Sequence, residues 1–432
     1  MLLLKNSLSF DQRDLHSVIL IALKTAKNTI TLALEDDTDA GSNLADQQGQ
    51  VRPLIRSKVL AESAMLLRIT RFLRKADPQI ASAFDDLAHL VNLHGRPPTL
   101  RVQLCRTPSS AFDHAATHIH LRSLGYYDQD TDVLLDEALK LHNQFGTERL
   151  PNHALDHQWL NNILSRSGRD WSPDPALLSQ SCLAHQLDAL GSKTAEFYAF
   201  THVILYATDM GRLQPEWPRP KSELVSDAEA GLAFALDANN FDLAAELLWT
   251  WPMLAVAWTK AASFGLGILI SFQKEYGFLP GPGYSDRVDG ALEETESSHY
   301  RLRTSYHATF VMGFLCAAII NSNHIPPDFV KPERKSKHDM RLIIGLLDLQ
   351  PKEPKWQLIF KKSDPCYREG LAEFLLTIAL QRASDCCDLT FIRKCLEVAQ
   401  HSHLTDGPAF KQAVALLQRV VLLAKAVPVP AA

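Results

Sequence analysis

Apolar residues recur at helical spacing along almost all of this 432-residue chain, and two-residue alternation is nearly absent. In DLHSVILIALKTAKNTITLAL (14–34), Val18, Ile21, Ala22, Ala26 and Ile30 share one face behind a leading Asp. SKVLAESAMLLRITRFLRKA (57–76) and ASAFDDLAHLVNLHG (81–95) read as a helical hairpin closed by Gly95. The same spacing predicts helices over 111–125, 130–146, 194–211, 226–237, 241–251, 297–321, 339–349, 367–385, 390–402 and 408–427. Ser226 and Glu229 have capping-box spacing, and Pro252 reads as a helix stop. One stretch, TLRVQLCRT (99–107), alternates Leu100, Val102 and Leu104 with polar residues and reads as a short isolated strand. The expected fold is therefore all-α: helical hairpins arranged as an α/α toroid or an irregular helical bundle. Residues 1–95 form N-terminal hairpins packed on a main domain of residues 96–432. No strict repeat recurs, which argues against a standard solenoid.

Composition narrows the classes of partner. Lys and Arg total 44 against 49 Asp and Glu, a formal charge of −5, so nucleic acid and anionic membranes find no electrostatic hold. The densest basic stretch, KPERKSKHDMR (331–341), reads as a solvated loop, as does the acidic DDTDAGSNLADQQGQ (36–50). The apolar run 249–272 is interrupted by Pro252 and Lys260, so a buried helix pair is expected rather than a membrane span. The seven cysteines contain no Cys-x-x-Cys pair and are expected to be free thiols. MLLLKNSLSF lacks the basic and long apolar regions of a signal peptide, so a cytoplasmic location is expected. Phosphate-binding loops, a Gly-x-Ser-x-Gly elbow and a dinucleotide fingerprint are all missing.

The candidate chemistry centres on YAFTHVILYATDMG (198–211). At about 100° per residue, Tyr198, His202, Tyr206 and Asp209 fall within about 80° of one helix face, in an otherwise apolar run. With Gly211 ending the helix, Asp209 is expected in its last turn, where it orients or charges His202. His307, in TSYHATFVMGFLC, is flanked by Tyr306 on a similar apolar helix and is expected to lie across from His202. His202, Asp209, Tyr206 and His307 are thus the catalytic candidates, with Tyr198 as a ligand contact. The stripe is expected to line a solvent-accessible cavity that holds the ligand; the alternative is a satisfied polar seam between packed helices. The pairs His114/His118 and His153/His157 have ligand spacing but no standard zinc pattern, so neither a metal nor another cofactor is expected. Two Pro- and Gly-rich loops, 211–221 and 277–286, read as functional rims.

Three segments carry a resemblance. They are Thr201-His202 with Tyr206 and Thr208-Asp209, the Asp242-Leu-x-x-Glu246-Leu-Leu helix, and the Tyr306-His307 pair. With these the chain resembles a family of uncharacterised bacterial all-helical proteins, a domain-of-unknown-function family often found near natural-product biosynthesis genes. The resemblance spans roughly residues 110 to 430 and departs at Met210, where an aromatic residue is more usual. It draws Thr208 and Tyr306 in as further ligand contacts, and it implies a bacterial, biosynthetic setting without assigning a reaction. Two functions are compatible with this reading. One is an enzyme acting by proton transfer on a small-molecule or peptide intermediate; the other is a non-catalytic helical binding or scaffold protein.

Overall fold

In the computed structural model, residues 11–39, 54–142, 144, 146–165, 171–326, 339–350, 352–363, 368 and 370–426 are described; the expected basic loop falls largely outside them. Their elements are helices, and no strand occurs among the described residues. The first ten are α1 (Gln12–Asp39), α2 (Arg56–Thr70), α3 (Pro78–His94), α4 (Pro98–Arg106), α5 (Ala111–Ser123), α6 (Gln129–Leu141), α7 (Pro151–Ser165), α8 (Pro175–Gln180), α9 (Thr194–Ala207) and α10 (Lys221–Asp237). They are followed by α11 (Phe241–Leu248), α12 (Thr250–Leu254), α13 (Lys260–Tyr276), α14 (Asp286–Asp289), α15 (Glu294–Asn321), α16 (Met340–Asp348), α17 (Lys355–Lys362), α18 (Ala372–Asp385), α19 (Leu389–His401) and α20 (Pro408–Ala426).

Six of these helices pack in a closed circuit: α2 on α5, α5 on α7, α7 on α9, α9 on α11, α11 on α15, and α15 back on α2. A second set backs them, with α1 against α15 and α2, α4 and α6 against α5, and α10 and α13 against α11. The α1–α15 contact is very close. A Cβ on Gly313 would lie 2.5 Å from Ala22 Cβ and 3.3 Å from Leu66 Cδ1, so only glycine fits there.

Four local expectations are revised. Residues 98–106 form α4 rather than a strand, because Pro98 opens a helix and Leu100 and Leu104, four apart, are the buried pair. Val102, which completed the alternation, is 64% exposed. The helix expected from Ser226 begins at Lys221 after Pro220, and Ser226 Oγ donates to Ser222 O instead of capping. Pro252 does not end the helical region but lies within α12, which stops at the left-handed Ala255. α1 runs on to Asp39, into the stretch expected to be a loop.

The run 249–272 does form a buried pair, α12 and α13, with the Thr259 hydroxyl capping α13 through Ala262 N. Two other segments, Gln12–Asp36 and Glu294–Asn321, are long and apolar enough to cross a membrane by length and composition. In this fold they are α1 and α15, packed against each other. Six described cysteines are free thiols.

Candidate functional site

α9 carries the predicted row. The rings of Tyr198 and His202 lie 6.3 Å apart, and those of His202 and Tyr206 5.9 Å apart. The row stops there because the helix stops at Ala207. Asp209, Met210 and Gly211 all take positive φ, 46°, 59° and 86°, so the 100° step no longer applies. Asp209 therefore turns away from His202. Its Oδ1 accepts from Arg68 Nη2 at 2.8 Å and from Trp159 Nε1 at 2.7 Å, in a buried pair between α2 and the end of α9. Thr208 is fully buried, donating to Ile204 O and accepting from Gly211 N, so it closes the helix and presents no surface to a ligand.

The carboxylates facing the row come from α11. Asp242 and Glu246, one turn apart, lie on a helix in which every residue is buried. Tyr198 OH donates to Asp242 Oδ2 at 2.6 Å, and Thr201 Oγ1 donates to Glu246 Oε2 at 2.6 Å. His202 Nε2 stands 3.5 Å from Glu246 Oε2. From α15, His307 Nε2 stands 3.6 Å from Asp242 Oδ1 and 4.0 Å from Glu246 Oε1. Its other nitrogen, Nδ1, faces Glu62 Oε2 of α2 at 3.2 Å. Tyr306 packs edge-on to His307 at 6.2 Å. His202 and His307 are thus brought together through Glu246, with their side chains 36% and 33% exposed over carboxylates that are only 2% and 6% exposed.

The loop 277–286 holds this half of α15 in register. Leu279 N donates to Thr309 Oγ1 and Gly281 N to Ser305 Oγ, each at 3.1 Å, on either side of Tyr306-His307.

Charge is out of balance here. Elsewhere buried carboxylates meet guanidinium groups: Asp209 with Arg68, Asp227 with Arg219, and Asp237 with Arg382. Among the described residues, no arginine or lysine forms an ion pair with Asp242 or Glu246. Burial works against the His307 imidazolium, but Glu62 and Asp242 outweigh it and push its pKa up to about 10. Burial likewise opposes charge on His202, and Glu246 reverses that, leaving its pKa raised. For Glu62 burial is outweighed by His307, so its pKa is lowered. Burial raises Asp242, and His307 offsets this incompletely because Glu246 adds a like charge. Glu62, Asp242 and Glu246 all face His307 while His202 faces only Glu246, and Asp242 is the carboxylate left short. Nearby on α7, burial pushes Asp156 up to about 6, a shift opposed first by His157 and less by His202.

The histidine pairs do not converge. His114 bonds Thr107, His118 bonds Arg96 and Asp132, and His157 bonds Asp113. The group with ligand geometry is instead Asp242, Glu246 and His307, whose ligand atoms all lie within 4.8 Å of one another. Glu62 escaped the sequence reading because it follows Lys58 by four residues and pairs with it at 3.6 Å, the mark of an ordinary exposed helix face.

No curated protein and no solved structure matches the chain. A family model described as "Domain of unknown function (DUF6895)" matches residues 33–317, a span that starts and ends earlier than the resemblance implied. It holds Glu62, Asp156, the α9 row, Asp242, Glu246, Tyr306 and His307, while α16 to α20 lie beyond it. On that match the chain belongs to the DUF6895 family.

Proposed function

We propose that this protein is an enzyme that moves a proton on a small-molecule or peptide intermediate bound over His202 and His307. One observation carries the reading: two half-exposed imidazoles share the buried carboxylate of Glu246, flanked by Tyr198, Tyr206 and Tyr306. An imidazole at the opening, poised by a carboxylate behind it, is the arrangement general acid–base chemistry needs. In this reading His202 carries the proton, and Glu246 takes the orienting role first expected of Asp209. His307 holds positive charge toward the ligand, and the tyrosines bind it. The setting is bacterial and biosynthetic, following the resemblance.

The test needs no known substrate. A small-molecule extract of cells carrying the gene is incubated in D2O with wild-type protein or with His202→Ala, and deuterium uptake is read by mass spectrometry. At least one compound gains deuterium with wild type alone. Identical spectra with both proteins would leave the scaffold function as the better account.

A further inference from the structure

We propose that Asp242, Glu246 and His307 form the protein side of a divalent transition-metal site, of the zinc, manganese or iron class. This goes beyond the proton-transfer reading and does not rest on it; the ion displaces the proton on His307 Nε2 and takes over the positive charge that reading gives His307. Two of the three have their outer atom hydrogen-bonded, Asp242 Oδ2 by Tyr198 and Glu246 Oε2 by Thr201, and His307 Nδ1 stands 3.2 Å from Glu62 Oε2 without a formed hydrogen bond. That leaves Asp242 Oδ1, Glu246 Oε1 and His307 Nε2 facing one point. Asp242 Oδ1 is buried without a hydrogen bond, on a side chain only 6% exposed. A buried carboxylate oxygen left bare aims at something that accepts its lone pair.

Spacing agrees. At metal–ligand distances of about 2.0–2.2 Å, ligand atoms around a tetrahedral ion sit roughly 3.3–3.6 Å apart. His307 Nε2 is 3.6 and 4.0 Å from its two partner oxygens and all three ligand atoms lie within 4.8 Å of one another, so side-chain shifts of up to about an ångström close the set around an ion. Outer partners of this kind orient metal ligands, the Glu62–His307 contact being a carboxylate–histidine–metal relay. One imidazole among the donors favours a transition ion over calcium or magnesium. Three protein ligands leave positions open toward the side from which His307 is reached by solvent, as in catalytic rather than structural sites. The ion also places a fixed positive charge beside Asp242 and Glu246, which are paired with histidines where other buried carboxylates of the chain have arginine.

The experiment is metal titration of the full chain. Protein is stripped with chelator, dialysed against buffer containing Zn2+, Mn2+ or Co2+, and assayed by elemental analysis, calorimetry and, for Co2+, visible absorption. Wild type takes up about one equivalent of at least one of these ions, with ligand-field bands for Co2+, and melts at a higher temperature with the ion bound. His307→Ala loses that uptake, and Tyr198→Phe, which keeps all three ligands, weakens it about 10–100-fold. Should His307→Ala fail to fold, Tyr198→Phe and Glu62→Gln carry the test. Wild type that binds no stoichiometric ion overturns the proposal, as does binding unchanged in these variants. Uptake is read without substrate, so its failure leaves the deuterium assay to decide the proton-transfer reading separately.

Discussion

Asp209 and Arg68 form a buried ion pair at 2.8 Å, joining the end of α9 to α2, while His202 two turns earlier on the same segment faces Glu246. The segment thus carries two carboxylate relationships of different kinds. One is closed by a guanidinium and an indole N–H; the other opens onto solvent.

The first prediction separates them. Asp209→Asn leaves the Arg68 charge buried without its partner and costs about 3–5 kcal/mol of stability in urea unfolding. His202→Ala, which removes a half-exposed ring, costs far less. Equal losses for the two variants would put both in the same structural network.

Acid sensitivity gives a second prediction. His120 of α5 is buried against Trp159, and burial together with Arg68 lowers its pKa from 6.5 to about 3. As pH falls below 6.5 the unfolded chain binds a proton that the folded chain refuses, so stability drops, by roughly 2 kcal/mol at pH 5. His120→Leu lacks this loss, and its stability advantage over wild type widens as pH falls from 7 to 4. Parallel stability curves would show that His120 is protonated in the folded state.

A third concerns the α1–α15 contact. Gly313→Val drives two methyl groups into Ala22 and Leu66 and lowers stability by about 1–3 kcal/mol, or more if the helices cannot separate. An unchanged denaturation midpoint would mean that α1 is held loosely.

The row Tyr198, His202 and Tyr206 was legible in the sequence because four-residue spacing survives as long as the helix does. Asp209 was not, because three left-handed residues end the helix before it reaches the stripe. Glu62 looked like a surface residue beside Lys58, and nothing in one helix announces that a histidine more than two hundred residues later will face it. The residues 99–107 misled for a related reason. Alternation and four-residue spacing share Leu100 and Leu104, and only the exposure of Val102 distinguishes them. Local periodicity reported most of the longer helices, though not α4 or α7, but convergence of α2, α9, α11 and α15 belongs to packing alone.

The central claim is that the cluster of Glu62, Asp242, Glu246, His202 and His307 is kept for function and not for stability. The most direct measurement is the melting temperature of chelator-treated protein at pH 7.5, comparing wild type with Asp242→Asn. Asparagine keeps an oxygen for Tyr198 OH and removes one charge from a group that holds more carboxylates than cations. Asp242→Asn melts at the wild-type temperature or above it. A fall of several degrees would contradict it, and would make the cluster part of what holds the helices together.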